Sequence, residues 1–444
     1  QVNSQEEFER IPIMEKKNYL YRYPIQQFFP KGKIAPVIYA SSGSSGQPTF
    51  WFRGDDQEET GGKFHEKIFT DIFGIKKEEP TLVIICFAMG LWVAGNFTLA
   101  CCRNVSRRGF NLTTITPGIE KMDVINSLQT LGPQFKNIII AGYPPFVMDV
   151  VNDALKAKIK FTKNTFILTA GDKFSEEWRD SLLKLLGTSA RKNIISIYGS
   201  ADAGVLGHET PISIFIREEA LKNQGLYSQL FGQEDIEPAL VQYDPDYIYF
   251  EEVNKELVFT TKTSIPLVRY NIHDVGTIVP HHEMVGRLEK LDLLNKAKAY
   301  GINLWKWPFL VKKGRTDVAV TFYALNIYPE NLSAGIEDRR VRKFLTGNFL
   351  AYNKDTQNHK TQKLFIKLQL NQKIKASKTI KELIKKSIVD NLTKVSIEYR
   401  KLFSSIGSRA LPEIILTNHS DFGKVDAQGV MNIHGKKPKV VIGA

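Results

Sequence analysis

The sequence predicts an α/β protein with a large first domain and a smaller α+β domain at its C-terminal end. Apolar runs typical of strands alternate with helical patterns through the first three hundred residues, and this texture then changes. The length of 444 residues also exceeds what one hydrophobic core usually supports. We therefore expect domains at 1–316 and 317–444. The first should contain parallel strands flanked by helices, together with a β-rich layer.

The first elements surround a loop of small residues. An apolar run, Val37 to Tyr39, leads into Ser41-Ser42-Gly43-Ser44-Ser45-Gly46, and Pro48 follows. Glycines let the backbone turn tightly, so that several N–H groups and serine hydroxyls can point at one anion such as a phosphate. The same composition also fits a flexible linker or a cloning scar. The loop is neither a Walker loop nor a dinucleotide fingerprint.

The next segment, Thr81 to Cys102, contains no charged residue and is long enough to cross a bilayer. Its first part, 81–87, has the continuous apolar character of a buried parallel strand, and a helix rich in small residues follows. We therefore interpret the segment as core and expect no membrane span.

Further strand and helix patterns alternate in order. We predict strands at 136–141, 164–169 and 193–197 and helices at 146–158 and 176–186. Ligands of such folds bind at the carboxyl ends of the parallel strands. The small-residue turns at 41–48, 170–172 and 198–204 each follow a strand end, which makes the linker interpretation of the first turn unattractive.

The later part of the chain is richer in β-structure. Runs at 256–261 and 275–279 predict the β-rich layer. The small domain is expected to contain strands at 318–322, 364–370 and 412–416 and a lysine-rich helix at 380–392.

Charge and cysteine content restrict the partners and the compartment. Between Lys354 and Lys401 there are thirteen Lys and Arg against four Asp and Glu, within a chain of net charge +13. This excess indicates solvated lysine-rich faces, or attraction to anions such as nucleotides, coenzyme A or an acidic carrier protein. Nucleic acid is disfavoured, because no stacking aromatics are interleaved with the lysines. The three cysteines suit buried thiols of a cytoplasmic protein, not disulfides or zinc. Since the chain starts at Gln1, we expect N-terminal residues to be missing.

Seven motifs in this order resemble the adenylate-forming, AMP-binding superfamily, and within it the phenylacetate–coenzyme A ligase branch. They are 41–49 (SSGSSGQPT), 170–172 (AGD), 197–202 (IYGSAD), 269–274 (RYNIHD), 314–317 (GRTD), 325–329 (LNIYP) and 423–426 (GKVD). The resemblance covers nearly the whole chain. It implies an acid–thiol ligase with a large adenylate-forming domain and a small mobile C-terminal lid domain.

The resemblance implies a reaction and its cofactors. Such enzymes join a small carboxylic acid to ATP with Mg²⁺, release pyrophosphate and form an acyl-adenylate. A thiol, in this branch that of coenzyme A, then takes the acyl group. The resemblance further implies that Ser41, Ser42, Gly43, Ser44, Ser45 and Gly46 hold the β- and γ-phosphates.

The other motifs imply roles around the nucleotide. Tyr198, with Gly199 and Ser200, would lie against adenine, and the turn Ala170-Gly171-Asp172 would line the base. Asp202 occupies the position of a Mg²⁺ ligand, which requires a hard oxygen donor. Asp274 would accept both ribose hydroxyls.

The C-terminal motifs imply the remaining roles. Arg315 would lie near the ribose and phosphate, Asp317 would be the hinge, and Lys424 would reach between the acid and the α-phosphate. A cation there stabilises the charge that develops on phosphorus. Tyr143 is expected to border the acid pocket. Each of three residues also has a purely structural alternative: Asp202 as a loop cap, Asp274 as a turn residue and Lys424 as one lysine of a basic tail.

Several functions remain open at the level of sequence. The acceptor is either coenzyme A or the thiol of an acidic acyl or aryl carrier protein, and Ala324, where the family prefers glycine, could narrow the thiol tunnel. A non-catalytic relative that binds nucleotide or acid is a further alternative. The acid and the oligomeric state are not determined, and a homodimer is one alternative.

Overall fold

The structure is a computed structural model that describes residues 3–29, 31–41, 49–232, 238–315, 320–323, 325–327, 329–355 and 361–418. The strands are β1 Val37–Ser41, β2 Thr49–Arg53, β3 Thr81–Cys86, β4 Leu112–Ile115, β5 Asn137–Gly142, β6 Thr165–Ala170, β7 Ile194–Ser200, β8 Gly204–His208, β9 Ala239–Gln242, β10 Ile248–Val253, β11 Glu256–Thr261, β12 Leu267–Val279, β13 Phe309–Arg315, β14 Val320–Phe322, β15 Leu325–Ile327, β16 Leu345–Asp355, β17 Gln362–Leu370 and β18 Glu413–Thr417.

The helices are α1 Gln5–Glu9, α2 Ile25–Phe28, α3 Asp55–Lys67, α4 Val93–Arg107, α5 Lys121–Thr130, α6 Pro144–Lys156, α7 Glu176–Leu186, α8 Pro211–Lys222, α9 Gln224–Phe231, α10 His281–Lys290, α11 Leu294–Ala299, α12 Pro329–Ile336, α13 Lys378–Val395 and α14 Ile397–Ile406. A single π-helical stretch, Ile68–Ile72, continues α3.

One eleven-stranded sheet forms the centre of the fold, in the order β10-β11-β12-β13-β9-β8-β7-β6-β5-β3-β4. The strands from β4 to β7 pair in parallel, and those from β7 to β10 pair antiparallel. The α/β class predicted from the sequence is therefore confirmed, and the expected β-rich layer is continuous with the parallel strands. This continuity matters because it brings β12 into the same sheet as β7.

The parallel half is stable because its strands are apolar on both faces. All six residues of β3 are buried, and helices pack on either side of the strands. The uncharged segment 81–102 is thus a core strand and the first part of α4, as expected. Within the described ranges, we find no helix that has both the length and the apolar character needed to cross a bilayer. Cys86, Cys101 and Cys102 are buried free thiols.

The sequence prediction was wrong about one turn. Tyr198, Gly199 and Ser200 were expected to follow a strand that ends at 197, but they form the last three residues of β7. The antiparallel partner β8 pairs with them, Tyr198 opposite Gly207 and Ser200 opposite Gly204. The turn itself begins only at Ala201.

The C-terminal elements form their own hydrophobic cluster. Strands β16, β17 and β18 make a three-stranded sheet, and β14 and β15 make a separate hairpin. Buried residues between Val320 and Ile414 pack together with α12, α13 and α14. The predicted domain boundary at 316/317 falls among residues 316–319, which lie outside the described residues, so the division itself stays a prediction.

A buried histidine lies where β8 meets the loop before β13. His208 is fully buried, its ring packs edge-on against the stacked rings of Trp305 and Trp307, and its Nδ1 lies 2.8 Å from the carbonyl oxygen of Glu209. Burial lowers the pKa of His208 to about 4, and nearby Lys67 acts in the same direction. The imidazole is therefore neutral in the folded protein at neutral pH.

The lowered pKa of His208 predicts that this residue destabilises the folded protein in acid. The unfolded chain takes up a proton near pH 6.5, whereas folded His208 resists protonation until about pH 4. Between these values His208 binds more protons in the unfolded state, so the contribution of His208 to the free energy of unfolding should decrease as the pH falls, by about 3 kcal/mol. Denaturant titrations from pH 7 to 4 measure this decrease.

The matched variants are His208→Phe and His282→Phe, since His282 is exposed on α10. His208→Phe should flatten the dependence of unfolding free energy on pH, and His282→Phe should keep it. An unchanged slope in His208→Phe would refute the assignment of the slope to this residue.

Candidate functional site

A cavity of about 310 Å³ lies at the carboxyl ends of the parallel strands. Ala88 follows β3, Tyr143 follows β5, Ala170 ends β6 and Ser200 ends β7, and all four line the cavity. Strands that run in parallel bring their carboxyl ends to one edge of the sheet, which is where such folds bind ligands. This arrangement makes the cavity the candidate functional site.

The cavity brings together many of the residues that the motifs singled out. Those in its wall are Ser41, Tyr143, Ala170, Gly171, Gly199, Ser200, Asp202 and Asp274. Arg315 is described only by its backbone, which pairs with Asp274 across β12 and β13. Ser42, Gly43, Ser44, Ser45, Gly46, Ala324, Asp317 and Lys424 lie outside the described residues, so their roles stay predictions.

Two glycines of the wall are required by the local backbone. Gly171 has φ +88°, a left-handed conformation that glycine adopts without strain, and it turns the chain after β6. A Cβ on Gly199 would lie 2.7 Å from the carbonyl oxygen of Gly204, closer than real Cβ contacts allow. The strand end and the turn that carries Asp202 therefore pack tightly only with glycine at position 199.

Asp274 is the buried carboxylate of the cavity. It is 2% exposed, and the hydroxyl of Tyr198 donates to its Oδ2 at 2.6 Å. The Nζ of Lys312 lies 3.6 Å from its Oδ1 and 5.0 Å from the centre of the Tyr198 ring. These three residues come from β12, β7 and β13, so one ionic and hydrogen-bonded group connects the parallel and antiparallel halves of the sheet.

An irregular strand aims Asp274 into the cavity. The preceding residue, His273, has φ +63°, which is uncommon for a residue with a side chain. The pairing of β12 with β11 shifts register twice, and its pairing with β13 shifts once, next to Val275. Such bulges redirect side chains and are frequent beside functional sites. The backbone amide of His273 is held by Asn271 Oδ1 at 2.7 Å.

Asp202 is the second buried carboxylate of the wall, at 3% exposure. Its Oδ2 accepts a hydrogen bond from Tyr270 at 2.9 Å, and its Oδ1 lies 3.4 Å from the Nζ of Lys16. Burial, followed by the charge of Asp202, raises the pKa of Tyr270 well above its ordinary value, so this hydroxyl stays a donor. The guanidinium of Arg53 donates to the backbone carbonyls of Ala201 and Asp202 and fixes the turn.

Lys16 is a site residue that the sequence analysis missed. The N-terminal segment reaches the cavity because Met14 forms a parallel bridge with Tyr270. The amide of Met14 donates to Arg269 O at 3.0 Å, and the amide of Asn271 donates to Met14 O at 2.9 Å. A lysine 25 positions before Ser41 carries no local signal of this placement.

The cavity has an apolar end between β3 and β5. Aromatic side chains from these strand ends and from α6 line it: Phe87, Tyr143 and Phe146. Two further aromatic wall residues lie elsewhere, Trp92 bridged to Ala40 of β1 and Phe97 with its ring centre 5.9 Å from the guanidinium of Arg53. The rings of Phe87 and Tyr143 pack edge to face at 5.0 Å. Burial raises the pKa of Tyr143 above its ordinary value, so the phenol is neutral. This end suits an apolar ligand body, whereas the Asp202 and Asp274 end suits polar groups.

The C-terminal elements also reach the cavity. Thr321, Tyr323, Leu325, Glu398, Lys401 and Leu402 contribute to its wall. Near the turn after β6, Gln362 Nε2 lies 3.4 Å from Asp172 Oδ2, so that carboxylate faces β17. The sequence analysis did not predict these wall residues, because they depend on how two distant parts of the chain pack.

The residues fit a metal in residue type only. Across the described ranges, no three or more His, Cys, Asp or Glu side chains are grouped so that they could hold a metal ion. Asp202 offers the oxygen donors that Mg²⁺ prefers, but Lys16 already balances its charge. A metal here would need oxygen ligands from a bound phosphate in addition to Asp202.

Comparisons with known proteins identify the fold. No protein-family model and no curated protein matches the sequence. A crystal structure of 2-hydroxyisobutyryl-CoA ligase with 2-HIB-AMP and CoA in the thioesterification state is similar over 96% of this chain and 80% of that one. The TM-score is 0.62 and the identity 15%. An open conformation of the same ligase has a TM-score of 0.50 at 15% identity, over 98% and 84% of the chains. The chain therefore has the fold of an adenylate-forming ligase.

Proposed function

We propose that this protein is an ATP-dependent ligase that activates a carboxylic acid as an acyl-adenylate and transfers the acyl group to coenzyme A. The observation that carries the proposal is the composition of one cavity. Its polar end holds Ser41, Asp202 and Asp274, and its other end is aromatic. The shared fold and the order of the sequence motifs support the same activity.

The first step would occur at the polar end. An oxygen of the acid attacks the α-phosphorus of ATP, the bond from that phosphorus to the bridging oxygen breaks, and pyrophosphate leaves with the electron pair. Asp274 would accept hydrogen bonds from the ribose hydroxyls, with Tyr198 and Lys312 fixing its orientation. Lys424, whose position is a prediction from its motif, would balance charge on the α-phosphate.

Cations and the Ser/Gly loop would hold the remaining phosphates. Lys16 lies beside Asp202 in the same wall as Ser41, the first residue of the predicted Ser/Gly loop. We propose that Lys16 contacts a phosphate oxygen and that Asp202 would hold Mg²⁺, which would neutralise charge on the phosphates. A bound metal supplies charge neutralisation to the departing pyrophosphate. The hinge assigned to Asp317, the contact of Arg315 and the boundary at 316/317 belong to the same proposal.

The apolar end favours an acid with a hydrophobic body. A pocket of aromatic side chains buries an aryl or branched aliphatic group favourably, because the free energy gained follows the apolar area removed from water. This chemistry suits the phenylacetate–coenzyme A ligase-like branch that the motifs resemble. The buried free thiols suit a reducing compartment, and we propose a cytoplasmic location.

A carrier protein is the alternative acceptor. The stretch 354–401, which contains α13 and the first half of α14, has a net charge of +9 (thirteen Lys and Arg against four Asp and Glu), and α14 lies beside the cavity. An acidic carrier protein would be attracted to such a face. Adding coenzyme A or an acidic carrier to the adenylate-forming reaction distinguishes the two acceptors by which thioester forms.

Pyrophosphate release across a panel of acids tests the proposal. With ATP and Mg²⁺, we expect release only when an acid is present, and faster release with aryl and branched apolar acids than with amino acids or long fatty acids. A coupled phosphate assay measures the rate. Release at the same rate without any acid, or with none of the acids, would contradict the proposed function.

The lysine of the last motif gives a residue-level prediction. Lys424→Ala should abolish adenylate formation while ATP affinity changes by less than about twofold, because the charge of this lysine matters mainly as charge develops on phosphorus. The control is Lys436→Ala, a lysine of the same basic tail outside the motif, which should behave like wild type. Normal pyrophosphate release by Lys424→Ala would remove this residue from the mechanism.

A further inference from the structure

Helix α14 presents one face to the cavity. Glu398, Lys401, Leu402 and Ser405 follow the i, i+3, i+4, i+7 spacing that places side chains on the same side of a helix. The first three line the cavity. The hydroxyl of Ser405 donates to the carbonyl oxygen of Ile119 at 2.7 Å. The face is therefore in contact with elements of the large sheet.

The other side of α14 belongs to the C-terminal cluster. Tyr399 and Ile406 are buried there together with residues of β17 and α13. The hydroxyl of Tyr399 donates to the carbonyl oxygen of Ala410 at 2.8 Å, which ties the helix to the turn that follows it. An interaction that fixes this turn therefore also fixes α14 against the cavity.

An ion pair fixes the turn to the large domain. Arg409 lies in the 3-10 turn Gly407–Ala410, and its guanidinium donates to the carboxylate of Asp149 on α6. The side chain of Asp149 is 5% exposed and that of Arg409 is 33% exposed. Asp149 is six residues beyond Tyr143, which precedes α6 and lines the cavity. The ion pair thus joins α6, which begins at the apolar end of the cavity, to the turn that follows α14. We call this apolar end, where the body of the acid would bind, the acid end.

A contribution to stability does not explain why the carboxylate of Asp149 is buried. Burial raises the pKa of Asp149 to about 6, and Asp153 acts in the same direction, while Arg409 and Lys121 act against it. Ionisation of this carboxylate therefore costs more free energy in the folded protein than in water, although the group is still ionised at neutral pH. Buried ion pairs of this kind often contribute little to stability, so a role in fixing an arrangement is the better explanation.

We propose that the ion pair between Arg409 and Asp149 positions α14 against the acid end of the cavity for transfer of the acyl group, not for its activation. This inference rests on the proposed two-step function. The chain aligns better with 2-hydroxyisobutyryl-CoA ligase in its thioesterification state than with the open conformation, with TM-scores of 0.62 and 0.50. The C-terminal elements are therefore arranged more like that thioesterification state than like the open conformation, and the proposal assigns the docked α14 to the second step.

The chemistry of that step defines what the docking must achieve. The sulfur of the thiol forms a bond to the acyl carbon, the bond between that carbon and the phosphate oxygen breaks, and AMP leaves with the electron pair. The thiol proton passes to solvent. Docked α14 closes the acid end with Glu398, Lys401 and Leu402, so the acyl group keeps its orientation while the thiol attacks. Arg409 is a positioning residue, since it does not touch the cavity.

Separate measurement of the two half-reactions tests the proposal. Pyrophosphate release without a thiol reports activation, and a single-turnover assay of enzyme-bound adenylate with coenzyme A reports transfer. Arg409→Ala should slow transfer about tenfold or more, the change that corresponds to about one lost interaction with a charged group, and alter activation less than about twofold. Arg409→Lys should restore most of the transfer rate.

The control variants distinguish the loss of α14 docking from the loss of a positive charge and from a failure to fold. Arg400→Ala removes the same charge from α14 itself, nine positions before Arg409. Arg400 donates locally to Thr393 O and Lys394 O, so this variant should leave both half-reactions unchanged. If Arg409→Ala fails to fold, Ser405→Ala takes its place as the test variant. This smaller change should also lower the rate of acyl transfer. In a double-mutant cycle, Asp149→Asn should add little to Arg409→Ala.

Each outcome is decisive. Equal losses in both half-reactions, or an unaltered transfer rate in the Arg409 and Ser405 variants, overturn the positioning role and leave the proposed function intact. A wild-type protein that releases no pyrophosphate with any acid overturns the proposed function and this inference together.

Discussion

The hydrogen bond from Tyr198 to Asp274 is the contact on which the site depends. Tyr198 lies near the carboxyl end of β7, in the parallel half, and Asp274 lies on the antiparallel strand β12. A single eleven-stranded sheet brings them within 2.6 Å, although 76 positions separate them in the chain. Without that continuity, the turn after β7 and the carboxylate of β12 would face different surfaces, and no shared cleft would form.

Charge balance explains why two buried carboxylates are tolerated in one wall. Asp202 lies beside Lys16, and Asp274 lies beside Lys312, each from a different element. An unpaired buried carboxylate would be costly, so these lysines stabilise the site before any ligand binds. Both cations lie near the end of the cavity that holds Asp202 and Asp274, where the proposed function places the phosphates of a nucleotide.

Local sequence patterns predicted the parallel half well, because its strands are continuous apolar runs bounded by small residues. The predicted strands at 81–87, 136–141 and 164–169 correspond to β3, β5 and β6, with ends one residue apart, and α7 occupies the predicted 176–186. The end of β7 was misplaced because antiparallel pairing with the following strand β8 extends it through Gly199 and Ser200, residue types that usually indicate a turn.

The site was predictable in its motifs but not in its partners. Ser41, Asp202 and Asp274 were found by motif, and the structure places all three in one wall. Lys16, Lys312 and the α14 face were missed, since their roles follow from long-range pairing: the bridge at Met14, the β12–β13 register and the contacts of the C-terminal cluster. The sequence of one short segment contains no information about such long-range contacts.

Equilibrium binding of ATP to wild type and to Asp274→Asn is the most direct test of a shared nucleotide cleft. Isothermal titration calorimetry should show at least tenfold weaker binding by the variant, since hydrogen bonds to a charged group contribute about 1.5–3 kcal/mol. Asp246→Asn, an exposed change in the turn before β10, should bind as wild type does. Equal affinity in wild type and Asp274→Asn would contradict the account.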